Sequence, residues 1–299
     1  MAGYLAVHFA FRLLRGATLP TDCFHKEGVL KVLAVLDGIF SRSGFAQLMR
    51  WAHIMAGVTW IGLLYFFNLV QVPAYGQFEA DPHKEIGGKA RLIAIDKVTR
   101  RALWWFRWAA VTTFLFGIFI AIAEKDFFAK NEVGVSFGQT ANGLIITLGM
   151  LLGIIMMLNV WGVIWRNQKV VLANAANVLA GGEANPDAAA AGRKAVMASR
   201  QNFIFSFAML FCMVAASHDV YLGGTEKAVS ASKTGIFWAV TIVLIVLMEL
   251  NALGLLPWKT AANKGLNAIY DGKGVRNPLI AAGAFFVIVV ALSELFLRV

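Results

Sequence analysis

The chain has 299 residues, of which 59% are hydrophobic and 15% charged, and its mean hydropathy is +0.68. Soluble domains run nearer 45–50% apolar and about 25% charged, so these values point to the bilayer as solvent and leave little chain for a soluble domain. The net charge of +10 comes without any basic-aromatic recognition motif, which excludes nucleic acid as the partner and leaves membrane lipids with anionic headgroups as the simpler one.

In chain order, Met1 to Leu19 makes a poor signal peptide, because Arg12 and Arg15 follow its apolar stretch and no small-residue cleavage site is present. Residues 29–42 carry Val29, Val32, Leu33, Leu36, Ile39 and Phe40 at helical spacing, interrupted by Lys31 and Asp37. That pattern predicts an amphipathic helix lying in the interface, within an N-terminal segment 1–46. Residues 47–299 then form an all-α, polytopic transmembrane bundle. Six stretches reach the roughly 20 apolar residues that a span needs: about 48–72, 103–124, 141–165, 202–222, 235–256 and 278–298. The third runs on as alanine-rich sequence to Gly181-Gly182, and Asn185-Pro186-Asp187 reads as the next helix start, with Asn185 as cap. This predicts a helical hairpin over 166–201, protruding by roughly 20 Å at 1.5 Å per residue, with Lys169, Arg193, Lys194 and Arg200 on its surface.

The side on which the first span begins is called face A. The face-B connections 73–102, 166–201 and 257–277 hold 15 Lys and Arg, whereas the face-A connections 125–140 and 223–234 hold two each. The positive-inside rule makes face B cytoplasmic. The stretch through Arg50 carries six more on face A and opposes that bias.

Two histidines lie in long apolar runs, His53 in the first span and His218 near the end of the fourth. Ionisable groups at membrane depth are costly and are candidates for function. His53 stands about five residues inside face A and His218 about four, which puts both roughly 6–8 Å below one surface. Matched depth is what a bis-histidine haem b needs, and neutral imidazoles can occupy an apolar site without burying charge. Gly57 and Gly62 remove bulk beside His53, for a macrocycle or for a neighbouring helix. His8, His25 and His83 lie in flanking or loop sequence and read as solvated.

Other polar groups at depth are few. Glu124 and Glu294 end spans on face A, where each can face water or orient an imidazole. Glu249 and Asn251 lie towards face B in the fifth span, and Arg107 is placed to snorkel to face B. The tryptophans near span ends, including Trp104, Trp105, Trp108, Trp161, Trp165 and Trp258, make an aromatic belt. Cys23 and Cys212 form no Cys-x-x-Cys pair, and Cys212 reads as a small hydrophobe. Phosphate-loop, Gly-x-Ser-x-Gly and His-Glu-x-x-His motifs are missing, and Gly87-Gly88 lacks the context of a nucleotide site.

Several segments together resemble the urate oxidase N-terminal membrane domain family, the membrane part of bacterial urate hydroxylases. Arg50 to Gly62 (RWAHIMAGVTWIG) is similar to its first span and Leu103 to Trp108 to its second. Asn159, Asn167-Gln168-Lys169, the Asn-Pro-Asp turn, Ser199-Arg200-Gln201-Asn202 and Ala216-Ser217-His218 follow its third and fourth spans in order, so the resemblance covers 47–222. It places His53 and His218 on family histidine positions. The sequence departs from the family at Trp104, where a histidine is usual, at Ala109, where an acidic residue is usual, and at Glu249-Leu250-Asn251, where an Arg-His pair is usual. Members often continue into a cytochrome c domain, which does not follow Val299 here, so electrons are expected to leave through another subunit or a separate cytochrome c. The resemblance implies a redox-associated protein of the bacterial inner membrane. It would be a haem-b-binding or quinone-proximal subunit of a larger electron-transfer complex, with His53 and His218 binding the cofactor. A structural accessory subunit of a membrane assembly is the alternative, and a urate hydroxylase or small-anion transporter a third.

Overall fold

The computed structural model describes residues 35–123, 130, 134–217, 222, 227–256, 269–270 and 274–299. Among these, six helices are long and apolar enough to cross a membrane: α1 Arg42–Ala80, α2 Lys84–Ala123, α3 Ala141–Leu179, α4 Ala188–Ala216, α5 Ala231–Leu253 and α6 Arg276–Leu297. The chain is an all-α, multi-pass membrane bundle, and the large apolar side chains left exposed on it, such as Ile54, Val58, Val243 and Val287, are in contact with lipid. Most of the interfacial helix expected over 29–42 lies outside the described residues. Residues 35–40 are helical and exposed, and Ser41 ends that turn by capping α1, its Oγ accepting from the Gly44 amide at 3.1 Å.

The first three helices are longer than the spans read from hydropathy. At 39, 40 and 39 residues they run roughly 60 Å each, about twice the hydrocarbon thickness. The extension of α3 to Leu179 was anticipated as part of the 166–201 hairpin. The segment 73–102, read as a face-B connection, is instead a second helical hairpin. It is too polar to register as span, yet tertiary contacts hold it helical. Arg100 donates to the Leu172 carbonyl at 3.1 Å, and Gly87 lets the turn close, because a Cβ there would meet the Phe78 carbonyl oxygen at 2.2 Å. In the α3–α4 hairpin, Gly181 adopts φ +87° as the sequence suggests. Helix α4, however, starts at Ala188 rather than at Pro186. The Asn185 side chain accepts from the Asp187 amide at 2.8 Å and closes a local turn first.

Each long helix carries one π-bulge: Phe66–Gln71 in α1, Ile95–Thr99 in α2 and Val160–Ile164 in α3. Their wide turns close through Val72 N to Phe67 O, Arg100 N to Ile95 O and Trp165 N to Val160 O. In α1 the bulge directly precedes Pro73, whose ring displaces the carbonyl one turn back and which has no N–H to donate.

Helix α4 is the axis of the bundle, with 72% of its most apolar stretch buried against 22–28% for α1, α2, α5 and α6. Helices α3 and α6 flank it, α5 lies against α6, and α2 pairs closely with α1. Helix α1 meets α4 in the half nearer face B, where Tyr65 packs edge-on against Phe203 at 5.2 Å. On face A the connections are tied by Thr140 bridging to Ala228 and by the Val229 amide donating to the Gln139 carbonyl.

Candidate functional site

Two levels of the bundle carry polar chemistry. Nearer face A is the seam between α1 and α2. Its outer end is held by Arg42, whose Nε donates to the Ala123 carbonyl at 2.6 Å. Eleven residues further along α1, His53 places Nδ1 2.8 Å from the Thr113 carbonyl oxygen. A carbonyl only accepts, so Nδ1 carries the proton and Nε2 keeps the lone pair. Gly117 lies against the ring: a Cβ there would stand 3.3 Å from His53 Cε1 and 3.4 Å from Nδ1. Gly57 faces Thr113 across the same seam, so its missing side chain serves helix packing, while a Cβ at Gly62 would meet nothing within 4 Å.

His218 lies outside the described residues, as do Glu124, Cys23 and Trp258. Helix α4 ends at Ala216 rather than continuing to 222. The register of α1 on α4, read from Tyr65 against Phe203 and Asn68 against Ser199, brings His53 level with the neighbourhood of Val214. At the same end of the bundle Glu294 pairs with Arg298 at 2.5 Å. His83 is exposed at the α1–α2 turn. Among the described residues no group of three or more His, Cys, Asp and Glu could hold a metal ion.

The second level lies fifteen residues further along α1, roughly 22 Å from His53, where the first and third π-bulges pack against α4 and the second against the extension of α3. Here α4 presents Ser199, Arg200, Gln201 and Asn202 in succession, which reach α1, the segment before α6 (Arg200 and Gln201 both) and α3. Ser199 Oγ accepts from Asn68 Nδ2 at 3.0 Å, while the same amide donates to the Leu64 carbonyl at 2.9 Å. Arg200 is 1% exposed and donates to the carbonyls of Tyr270 at 2.6 Å and Gly274 at 3.0 Å. It is therefore absent from the hairpin surface to which its sequence position assigned it, while Lys169, Arg193 and Lys194 are exposed there. Gln201 Oε1 accepts from the Tyr270 hydroxyl. Asn202 Oδ1 accepts from Asn159 Nδ2 at 3.0 Å, and Asn202 Nδ2 donates to the Met156 carbonyl at 2.8 Å. Asn159 in turn contacts Glu249 from α5, and Asn251 contacts Tyr270. Burial pushes the Tyr270 phenol above its ordinary range, so its hydroxyl stays a donor.

On the other side of α4, Tyr75, Thr99 and Gln71 form a hydroxyl–amide chain. The Tyr75 and Thr99 hydroxyls are 2.5 Å apart, and Thr99 Oγ1 donates to Gln71 Oε1 at 2.9 Å. Arg107, expected to snorkel, lies against the α3 tryptophans, its guanidinium 3.4 Å from the ring centre of Trp165 and 5.6 Å from that of Trp161. Several groups of this belt are buried with no hydrogen-bond partner: Asn68 Oδ1, Gln168 Oε1, Gln201 Nε2 and Glu249 Oε2.

The belt was legible in the sequence only as scattered polar residues. Glu249 and Asn251 were noted singly, Arg200 as a surface residue of the hairpin, and Asn159, Gln168, Ser199, Gln201 and Asn202 only as marks of resemblance. The signal that could have found it is the recurrence of amides and hydroxyls at a common distance from face B in helices α1 to α5. No protein-family model, curated protein or solved structure matches the chain.

Proposed function

We propose that this protein is an integral membrane subunit working in redox chemistry, in which His53 and His218 would hold a b-type haem. The observation that carries the reading is the anchoring of His53. Its Nδ1–H donates to the Thr113 carbonyl, which sets the tautomer and the ring plane and leaves Nε2 available, the usual arrangement of a ligating imidazole. The described residues thus supply one half of the fit. A bound haem would contribute one-electron transfer. His53 would hold it, Thr113 would orient His53, and Gly117 leaves room for the ring between the helices. The ordered resemblance over 47–222 to the urate oxidase N-terminal membrane domain supports the redox setting. It also supports a place in the bacterial inner membrane, with a quinone pool or a separate cytochrome c as electron partner.

The test is the absorption spectrum of detergent-purified protein from haem-replete cells, oxidised and reduced. A Soret band that is lost in both His53→Ala and His218→Ala is the expected result, and a wild-type sample without one overturns the proposal. A second reading, a structural accessory subunit, is favoured by the same hydrogen bond taken as a clamp between α1 and α2. It predicts cofactor-free folding, co-purification with larger subunits, and an effect of His53→Ala on stability alone.

A further inference from the structure

Arg107 is a cation inside a span, and none of its protein contacts neutralises it. It lies one turn past Trp104 on α2, towards face A from the interfacial tryptophans. A charge at that depth is costly unless an opposite charge meets it. Its Nε–H donates to the Leu103 carbonyl at 3.3 Å, and its guanidinium carbon stands 3.4 Å from the ring centre of Trp165. Among the described residues no carboxylate pairs with it. The side chain is half-buried, and its Nη1 and Nη2 atoms retain surface without an acceptor.

The tryptophan decides how those two donors are presented. At 3.4 Å the guanidinium lies flat on the indole, so its edge stays open, and the edge carries the N–H fork that matches two oxygens of a phosphate. Beside it Trp108 of α2 meets Trp161 of α3 edge-on at 5.7 Å. Seven residues deeper on each helix, roughly 10 Å, Leu115 and Ile154 are both exposed. Two turns bring them back to the sides of α2 and α3 that carry Trp108 and Trp161. In the other direction Lys169 follows Trp165 by one turn, on the same side of α3 and nearer face B, and is exposed. The cleft between α2 and α3 is therefore apolar at depth, aromatic at the interface and cationic at its outer end. That is the order of an acidic phospholipid read from chain to headgroup. A free anion would use the fork and leave the apolar wall unused. A zwitterionic lipid would bring its own ammonium up against Lys169.

We propose that the α2–α3 cleft at Arg107 is a binding site for one acidic phospholipid. The Arg107 fork holds its phosphate diester, Lys169 faces the headgroup, and the acyl chains lie over Leu115 and Ile154. The negative charge that Arg107 lacks within the protein is then supplied by the membrane, on the face that the positive-inside rule makes cytoplasmic. The site is independent of the haem reading. Arg107 stands ten residues along α2 from Gly117, which lies against His53, and is thus roughly 15 Å from that level.

The test is lipid retention by the full-length protein, purified in detergent, stripped of lipid and titrated in native mass spectrometry. The probes are dioleoylphosphatidylglycerol, dioleoylphosphatidylcholine and inorganic phosphate. The wild type should hold one phosphatidylglycerol about fivefold more tightly than phosphatidylcholine, or better, and millimolar phosphate should not displace it. Arg107→Gln should bring the two lipids close to parity. Lys89→Gln, at an exposed site near the tip of the α1–α2 hairpin, should leave the preference unchanged. If Arg107→Gln does not yield folded protein, Trp165→Leu takes its place: it keeps the cation, removes the ring that fixes it, and should lower the preference about twofold or more. Equal retention of the two lipids by the wild type, displacement by free phosphate, or a preference that survives Arg107→Gln or its replacement overturns the proposal.

Discussion

The α1–α2 seam and the π-bulge belt solve the problem of polar groups in lipid in opposite ways. In the seam one imidazole meets one backbone carbonyl, glycines bring the helices together around it, and the surrounding side chains are apolar and face lipid. In the belt, residues from five helices and from the segment before α6 share a network in which most groups have partners and a few do not. A lone polar group can be quieted locally, by a backbone atom one helix away. A belt of amides can be satisfied only collectively, so any imbalance of donors and acceptors is left as orphaned atoms.

The largest effect is expected in the belt. Arg200→Met removes a buried guanidinium from two loop carbonyls and should lower unfolding stability in detergent by roughly 3 kcal/mol or more. A loss as small as that of a surface substitution would mean that Arg200 does not hold the α6 entry to α4. In the seam, sterics should outweigh hydrogen bonding. Gly117→Leu drives side-chain atoms into the His53 ring and should cost roughly 1–3 kcal/mol or more. His53→Ala should cost about 1 kcal/mol, because the Thr113 carbonyl keeps its helical partner. The reverse ranking in thermal unfolding would make the imidazole the main tie of α1 to α2.

A pH series sharpens the comparison further. The Tyr270 phenol is raised in the folded protein by burial, so folding retains a proton that the unfolded chain releases near its ordinary value of about 10. The resulting stability is fully present below about pH 10 and is lost as pH rises from there through the raised folded value. Tyr270→Phe should therefore show a shallower alkaline decline than the wild type in unfolding measured from pH 8 upward, and identical slopes would remove Tyr270 from the network's energetics. The smallest effect belongs to neither region. Exchanging the exposed Lys169, Arg193 and Lys194 for glutamine should leave stability within about 0.5 kcal/mol while weakening attachment of the hairpin to anionic vesicles at low salt, read by vesicle co-flotation.

The α3–α4 hairpin was readable because Gly181, Asn185 and the alanine-rich flanks are local signals. The α1–α2 hairpin was not, since residues 73–102 lack the apolar content of a span, and their helicity depends on contacts such as Arg100 with Leu172, 72 positions away. Arg200 misled for the same reason. Its neighbours in sequence are those of a surface hairpin, and its partners Tyr270 and Gly274 lie beyond α5. Cys212, by contrast, packs in the core as its setting in a long apolar run suggested.

By itself the sequence determined that this is an all-α membrane protein with six stretches long and apolar enough to span, where the third and fourth turn, and that His53 lies in a span. Apolar run length, glycine punctuation and residue type are properties of neighbouring positions, and hydrophobic transfer acts on them without reference to the rest of the chain. Only the tertiary structure decided that the π-bulges of α1, α2 and α3 share one level. It alone decided that Asn68 meets Ser199 across 131 positions, and that Asn68 and Gln168 line the same small cavity. An amide carries no periodic signature of its partner, and in a medium that offers no water its partner is whichever polar group packing brings within reach.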